Sequence, residues 1–249
     1  MFSDLPIKNG DVIFVSSDIT RIALDCARRS VPFSADLLID ELIAILGDNG
    51  TLMFPTFNWG FCKGETFDYY NTVSKVGTLT NVALKRADFR RTRHPIYSFA
   101  VFGKHKDLLY SMNNVSSFGI DSPFAFICDY GAKNLMIDID YQKSATYVHY
   151  VEEKNGVEYR YMKNFSAGYI DSEGVYSNRT YSMYVRYLDK EVNVTINPMH
   201  EVYVANGAVV ESECNGRIIR LVDMRTAYDL VEQDIINNSC RRIAKYWGN

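Results

Sequence analysis

At 249 residues, with a formal net charge of -3, 47% hydrophobic and 23% charged residues, the chain has the balance of an ordinary globular protein and is long enough to bury one sizeable core. Its basic residues are scattered, apart from Arg86 to Arg93, so it offers no broad positive field to a nucleic-acid backbone. The opening Met1-Phe2-Ser3-Asp4-Leu5-Pro6 lacks the charged head and apolar stretch of a signal peptide, and no apolar run reaches the ~20 residues of a membrane span; a cytoplasmic protein with neither nucleic-acid nor membrane partners is expected.

Asp11 to Val15 is a short apolar run suited to a buried strand, and Ser16-Ser17-Asp18 supplies capping residues for a helix through Ile22, Leu24 and Cys26. Ala35 to Leu46 repeats apolar residues at helical spacing (Leu38, Leu42, Ile45). Gly47-Asp48-Asn49-Gly50 stops that helix before a second buried strand, Thr51 to Pro55. Residues 56–75 are rich in aromatic, polar and glycine residues without periodicity and read as a long loop, a length that is usually functional. A helix is expected at 76–86, strands at 97–102 and 134–139, and a helix at 145–153 introduced by the polar stretch Asp140 to Ser144.

From Val157 to Val210 the pattern changes to Tyr-, Val- and Arg-rich alternation, as in Tyr181 to Tyr187, which fits antiparallel strands with one wet face. Residues 226–246 return to helical spacing through Ala227, Leu230, Val231 and Ile235. With no linker or repeat, the expectation is a single mixed α/β/α domain over residues 1–249 with a β-rich subregion at about 157–210. The five cysteines (Cys26, Cys62, Cys128, Cys214, Cys240) stand far apart without a CxxC pair, so they read as reduced thiols and neither a zinc cluster nor a disulfide framework is expected.

Most catalytic signatures are absent: there is no Walker P-loop, GxGxxG, HExxH or complete GxSxG elbow. The nearest elbow, Asn164-Phe165-Ser166-Ala167-Gly168, has Asn where the tight turn needs glycine. Thr146, His149 and Glu152 fall at i, i+3, i+6 on the expected helix and share a face. A His with a carboxylate one turn away suits a general base, and equally a surface His beside a helical Glu. Arg91-Thr92-Arg93-His94-Pro95 gathers charge where a phosphate or carboxylate could bind, or is a solvated loop. Ser16-Ser17 offers hydroxyls and free N–H groups to an anion, or simply caps a helix.

Taken in order, these segments resemble the aminoglycoside 3-N-acetyltransferase (antibiotic N-acetyltransferase) family over roughly residues 10–155. The blocks that carry the resemblance are Val15-Ser16-Ser17, Gly50 to Phe57, Phe67-Asp68 with Gly77, Arg93-His94-Pro95-Ile96-Tyr97-Ser98-Phe99-Ala100 with Gly103, Ser122-Pro123, and Thr146 with His149 and Glu152. The resemblance implies direct acetyl transfer from acetyl-CoA to a sugar amine, without metal, in a fold distinct from the GNAT enzymes. It places His149, Glu152 and Thr146 in the catalytic site, Ser16, Ser17, Arg93, His94, Ser98 and Phe99 on acetyl-CoA, and Phe57, Asp68 and Tyr141 near a small-molecule amino-sugar acceptor. Thr146 or Ser98 is a candidate donor to the oxyanion. The sequence departs from the family at Ala145, where an Asn is usual, and at Val15, where many members have His.

For the acceptor, the β-rich half carries Arg160, Lys163, Arg179 and Arg186 among Tyr159, Tyr161, Tyr169, Tyr176, Tyr181 and Tyr184, residues suited to phosphate pairing and base stacking. On this ground a nucleotide-linked aminodeoxysugar, such as a dTDP-amino sugar for surface polysaccharide, is preferred to an aminoglycoside. An inactive CoA- or sugar-binding protein is the rival outside enzymes, and a homodimer is left open.

Overall fold

The computed structural model of the chain describes residues 1–190 and 192–246. In chain order the elements are β1 (Val12–Ser17), α1 (Thr20–Arg28), α2 (Ala35–Leu46), β2 (Thr51–Pro55), β3 (Phe67–Asp68), α3 (Thr78–Lys85), β4 (Arg90–Arg91), β5 (Phe99–Gly103), α4 (Lys106–Ser111), α5 (Pro123–Asp129), β6 (Lys133–Ile137), α6 (Tyr141–Ser144) and α7 (Val148–Lys154). The second half adds β7 (Arg160–Ile170), β8 (Tyr176–Arg186), β9 (Val192–Val194), α8 (Met199–Ala205), β10 (Val209–Cys214), β11 (Arg217–Asp223), α9 (Met224–Asn238) and β12 (Ala244–Tyr246).

Seven strands form the main sheet in the order β10-β11-β6-β1-β2-β5-β4. Only its centre is parallel: β1 pairs in parallel with both β2 and β6, and the outer pairings are antiparallel. Successive strand residues face opposite ways, so each central strand feeds two cores. Ile13, Val15, Leu52, Phe54, Leu135 and Ile137 pack with Leu38, Ile39, Leu42 and Leu46 of α2, each buried side chain contributing about 1.5–3 kcal/mol. Phe14, Met53 and Met136 face the other way, onto Phe124 of α5, Val151 of α7 and Val231 of α9. The mixed α/β/α architecture expected from the sequence is therefore observed.

Several details differ from expectation. Ser16 and Ser17 complete β1 and do not cap α1, whose N-cap is Ile19; Asp18 Oδ1 accepts from the Thr20 N–H at 3.0 Å instead. Thr146 precedes α7 and is joined to it by the His149 N–H, which donates to the Thr146 carbonyl at 3.1 Å. The β-rich stretch holds the long β7–β8 hairpin, which with β3 makes a separate three-stranded sheet, but it also holds the helix α8. α9 ends at Asn238, well short of 246, because Ser239 adopts a left-handed φ of 53° and the chain then returns as β12 against β9. Among the described residues no helix is long and apolar enough to cross a membrane.

The 56–75 stretch is a loop, holding only a 3₁₀ turn at Phe61–Lys63 and the two-residue β3. Its base is fixed by Arg91. This buried guanidinium donates to the carbonyls of Thr56 (3.3 Å), Tyr69 (3.2 Å) and Thr72 (2.6 Å) and to Ser98 Oγ (2.9 Å). Burial pushes its pKa down to about 10, so it remains charged at neutral pH and is satisfied by carbonyl and hydroxyl oxygens.

Candidate active site

A cleft of about 240 Å³ opens at the carboxyl ends of the three parallel strands. Strands on both sides of β1 run parallel to it, which makes this the point where connections diverge and where α/β sheets usually bind ligands. The alternation of β1 puts Phe14 and Ser16 on the cleft side, and Ser17 closes the strand at its rim. Pro55, Phe57 and Trp59 come from the end of β2 and the following loop, Val76 from just before α3, Tyr97 from the approach to β5 and Ile139 from just after β6. Lys143, Ser144, Thr146 and His149 complete the wall.

His149 follows a capped polar turn and is held by two contacts of its ring. The Asp140 carboxylate caps α6 by accepting from the Lys143 N–H at 2.9 Å, which starts the polar turn leading to α7. Phe118 packs edge-on against the imidazole, with ring centroids 5.1 Å apart. Behind the ring, His149 Nδ1 lies 2.7 Å from Glu152 Oε2, the imidazole side chain being 29% exposed and the carboxylate 0%. Burial alone would raise the Glu152 carboxyl; the hydrogen bond and charge of His149, the Arg160 charge and the Tyr159 hydroxyl outweigh it and hold Glu152 below its ordinary value. An ionised Glu152 can only accept, so Nδ1 carries the hydrogen, and in a neutral imidazole the lone pair is then on Nε2.

The structure thus gathers Ser16, Ser17, Phe57, Thr146 and His149 around one cleft, with Glu152 directly behind the imidazole. It places the other expected contacts elsewhere. His94 is 2% exposed, and its Nδ1 accepts from the N–H groups of Ile96 (3.2 Å) and Tyr97 (3.1 Å), so its ring braces the turn before β5. Ser98 is buried between Arg91 and Thr56, which removes it as an oxyanion donor, and Phe99 lies in the core against Phe14 and Phe124. Arg93 stacks over Tyr110, 4.3 Å from guanidinium carbon to ring centroid, and Arg91 is committed to backbone carbonyls. Arg91 and His94 are therefore used up internally, while half-buried Arg93 lies against Tyr110. Asp68 accepts from the N–H groups of Tyr70 and Asn71, both at 2.9 Å, which makes it a turn residue. Buried Tyr141 points to His200 Nδ1 at 3.2 Å and does not line the cleft.

Among the wall residues that the sequence did not single out for the site are Trp59, Tyr97 and Lys143. Trp59 Nε1 donates to the Tyr97 hydroxyl at 3.2 Å, tying the loop to the turn before β5. Lys143 reaches both the cleft and a neighbouring hollow lined by Ser17, Asp18, Thr20, Lys75, Gly77 and Thr78. Each stood inside a segment already marked as unusual: the aromatic loop, the block around Tyr97 and the polar stretch before α7. No group of three or more His, Cys, Asp or Glu positioned for a metal occurs among the described residues.

A family model described as aminoglycoside 3-N-acetyltransferase matches residues 27–235. A relative from Bacillus subtilis (strain 168), the SPbeta prophage-derived aminoglycoside N(3')-acetyltransferase-like protein YokD, is 23% identical over 265 residues, spanning 97% of this chain and 92% of its own. The crystal structure of YokD has a TM-score of 0.74 at 20% identity, over 94% of each chain. AAC-IIIb in a binary complex with CoASH gives a TM-score of 0.77 at 15% identity, over 95% of this chain and 94% of that one. AAC-VIa bound to sisomicin gives 0.74 at 19% identity, over 94% of each.

These findings overturn the nucleotide-linked acceptor, since the family and the named relatives are those of aminoglycosides and nothing among them points to a nucleotide sugar or to polysaccharide synthesis. The structure supplies the physical reason why the second half misled. Arg160 pairs with Glu152 at 2.8 Å, Arg179 stacks on Tyr169 and pairs with Asp171, and Arg186 donates to the Val192 carbonyl. Tyr159, Tyr169 and Tyr181 are buried in the core. These six residues are spent on the hairpin's own packing, while Lys163 and Tyr176 stay exposed.

Proposed function

This chain belongs to the aminoglycoside 3-N-acetyltransferase family, and on that premise we propose that it transfers the acetyl group of acetyl-CoA to an amine of an aminoglycoside, with His149 as general base. The observation that carries this reading is the His149–Glu152 pair at 2.7 Å on the wall of the strand-end cleft. His149 Nε2 takes the proton that the amine loses as its nitrogen bonds to the thioester carbonyl carbon. As the C–S bond breaks, that proton is returned to the departing thiolate, so the imidazole is regenerated. Glu152 keeps Nδ1–H oriented throughout and stabilises the transient imidazolium.

The cleft suits the acyl donor. Its wall is aromatic and hydroxyl-bearing, with Lys143 as its lysine and no Asp or Glu among the residues that line it, a chemistry matched to an uncharged pantetheine arm. Lys143 and Lys75 flank the adjoining hollow, where Asp18 is already engaged by the Thr20 N–H; this is where the donor's phosphates fit. Thr146, beside His149 on the same wall, is the hydroxyl nearest in sequence for the oxyanion.

The test is thiol release from acetyl-CoA with sisomicin and gentamicin as acceptors, for the parent and for His149→Ala. Acceptor-dependent release is expected, with kcat reduced by roughly 10²-fold or more in the variant and an unchanged circular dichroism spectrum. No turnover of any aminoglycoside would discard the acceptor class. A near-normal kcat in His149→Ala would discard the base.

A further inference from the structure

The carboxylate behind His149 has a second partner from a different element. Glu152 Oε2, which faces His149 Nδ1, also lies 2.8 Å from Nε of Arg160, the first residue of β7. Its other oxygen, Oε1, accepts from the Tyr159 hydroxyl at 2.9 Å. The Arg160 side chain is only 8% exposed, and its Nη1 donates to the Tyr184 carbonyl on β8 at 3.1 Å, which fixes the guanidinium in place.

A carboxylate withdrawn from water needs a compensating positive charge. Were Arg160 absent, the cation nearest to hand would be His149 itself, as imidazolium, and an imidazolium has no lone pair with which to accept a proton. We propose that Arg160 is a positioning residue that balances the Glu152 carboxylate, so that His149 meets the acceptor as a neutral imidazole. The proposal rests on His149 being the base, and it extends that reading by assigning the pH range of the base to a residue of the β7–β8 hairpin.

The other titratable groups around the pair do not replace Arg160. Tyr159 contributes an uncharged donor, burial holding its hydroxyl far above the usual phenol range. Tyr184 on β8 and Tyr97 before β5 are phenols likewise raised by burial. Cys240, following α9, is pushed up to about 11 by burial and stays a thiol. Glu153, the next residue of α7, turns away to accept from Ser116 Oγ at 2.7 Å. Lys143 lines the cleft on the Thr146 side, and its charge disfavours an imidazolium without reaching behind the ring to Glu152.

The experiment uses the full chain and reads His149 directly, by NMR titration of histidine Cε1–H without any substrate; the resonance is assigned by its loss in His149→Ala. In Arg160→Gln the His149 midpoint should rise by about one pH unit or more, as for a group left facing an unbalanced opposite charge, and Arg160→Lys should bring it back. The pH–rate profile should follow. In Arg160→Gln, kcat/KM should drop about tenfold on the acid limb while the alkaline plateau stays within about threefold. An unmoved midpoint, or a loss of rate equal at every pH, overturns the proposal and leaves Arg160 a brace for the hairpin. Should Arg160→Gln not fold, the double variant Glu152→Gln/Arg160→Gln removes both charges together. Its midpoint should lie at or below the parent's, because the nearer Glu152 charge is lost as well, and a midpoint a full unit above the parent's would overturn the charge balance. Because the titration needs no substrate, midpoints that move as expected in a protein whose His149→Ala variant retains activity would reject the base and leave the balance standing.

Discussion

His94 carries a prediction that can be worked through from its surroundings. It is buried, and its Nδ1 lone pair already receives two backbone N–H groups, from Ile96 and Tyr97. A proton at Nδ1 would face two donors, and burial drives the imidazole down to about 3. In the unfolded chain the same ring titrates near its ordinary value of about 6.5. Below that pH the unfolded chain binds a proton that the native state refuses, so stability falls as pH falls, from the unfolded value down towards the folded one. Between pH 7 and pH 5 the loss from this residue comes to about 2 kcal/mol, or about 1 M in urea midpoint at a typical m of ~2 kcal/mol/M. The assay is urea unfolding at both pH values for the parent and for His94→Gln, whose amide oxygen can accept from the same N–H groups but does not titrate. The parent's stability advantage over the variant should shrink by about 2 kcal/mol on acidification. An advantage that is the same at pH 7 and pH 5 would refute the assignment of a neutral, doubly bonded His94.

Glu152→Gln should lower kcat less than His149→Ala does, and it should cost roughly 3–5 kcal/mol of stability by leaving the Arg160 charge buried without its partner; thermal melts and steady-state kinetics check both. In the parent, the Glu152 carboxyl is held low, so its contribution is present above the ordinary carboxylate range and is lost as pH falls through the lower folded value. Gly103→Ala should lower the melting temperature far more than Gly131→Ala. Both have positive φ (92° and 60°), but a Cβ on Gly103 would sit 2.2 Å from the Gly50 carbonyl oxygen, whereas none lies within 4 Å at Gly131. Equal melting temperatures for the two variants would reject that contact. Acetyl-CoA should raise the melting temperature, with about 2.7 kcal/mol expected at a hundred times its dissociation constant. EDTA should leave activity unchanged, and its loss on chelation would reject a metal-free reaction.

The parts of the fold that could be read from the sequence are those where burial is one-sided. α2 shows its Leu38, Leu42 and Ile45 spacing and its glycine stop, and β1 and β2 show compact apolar runs. α5 was hidden because every residue from Pro123 to Cys128 is buried, which erases the helical period. The β10–β11 hairpin was legible in principle, since Asn215-Gly216, with φ values of 51° and 72°, is a strong two-residue turn signal. In the cleft, the His149–Glu152 spacing anticipated their 2.7 Å contact because residues three apart on one helix share a face. Arg160 and Trp59 were not recoverable in this way: their partners lie on other elements, and only the packed hairpin and loop bring them to Glu152 and Tyr97. The motif around His94 and Ser98 misled for a related reason. Its polar groups are spent on the backbone of their own turn and of the neighbouring loop, so it resembles a binding site while serving as scaffold.

The Arg91 anchorage beneath the 56–75 loop has a consequence for where that loop can change. Thr56, Tyr69 and Thr72 are pinned from below, whereas the 3₁₀ turn at Phe61–Lys63 lies between the pinned points and rests on the hairpin through Phe61 and Tyr181. Lengthening or rewriting that tip leaves the three anchors, β1 and the His149 pair untouched. The loop can therefore change length at its tip while its anchored ends, and the Phe57 and Trp59 side chains that line the cleft near the Thr56 anchor, keep their places.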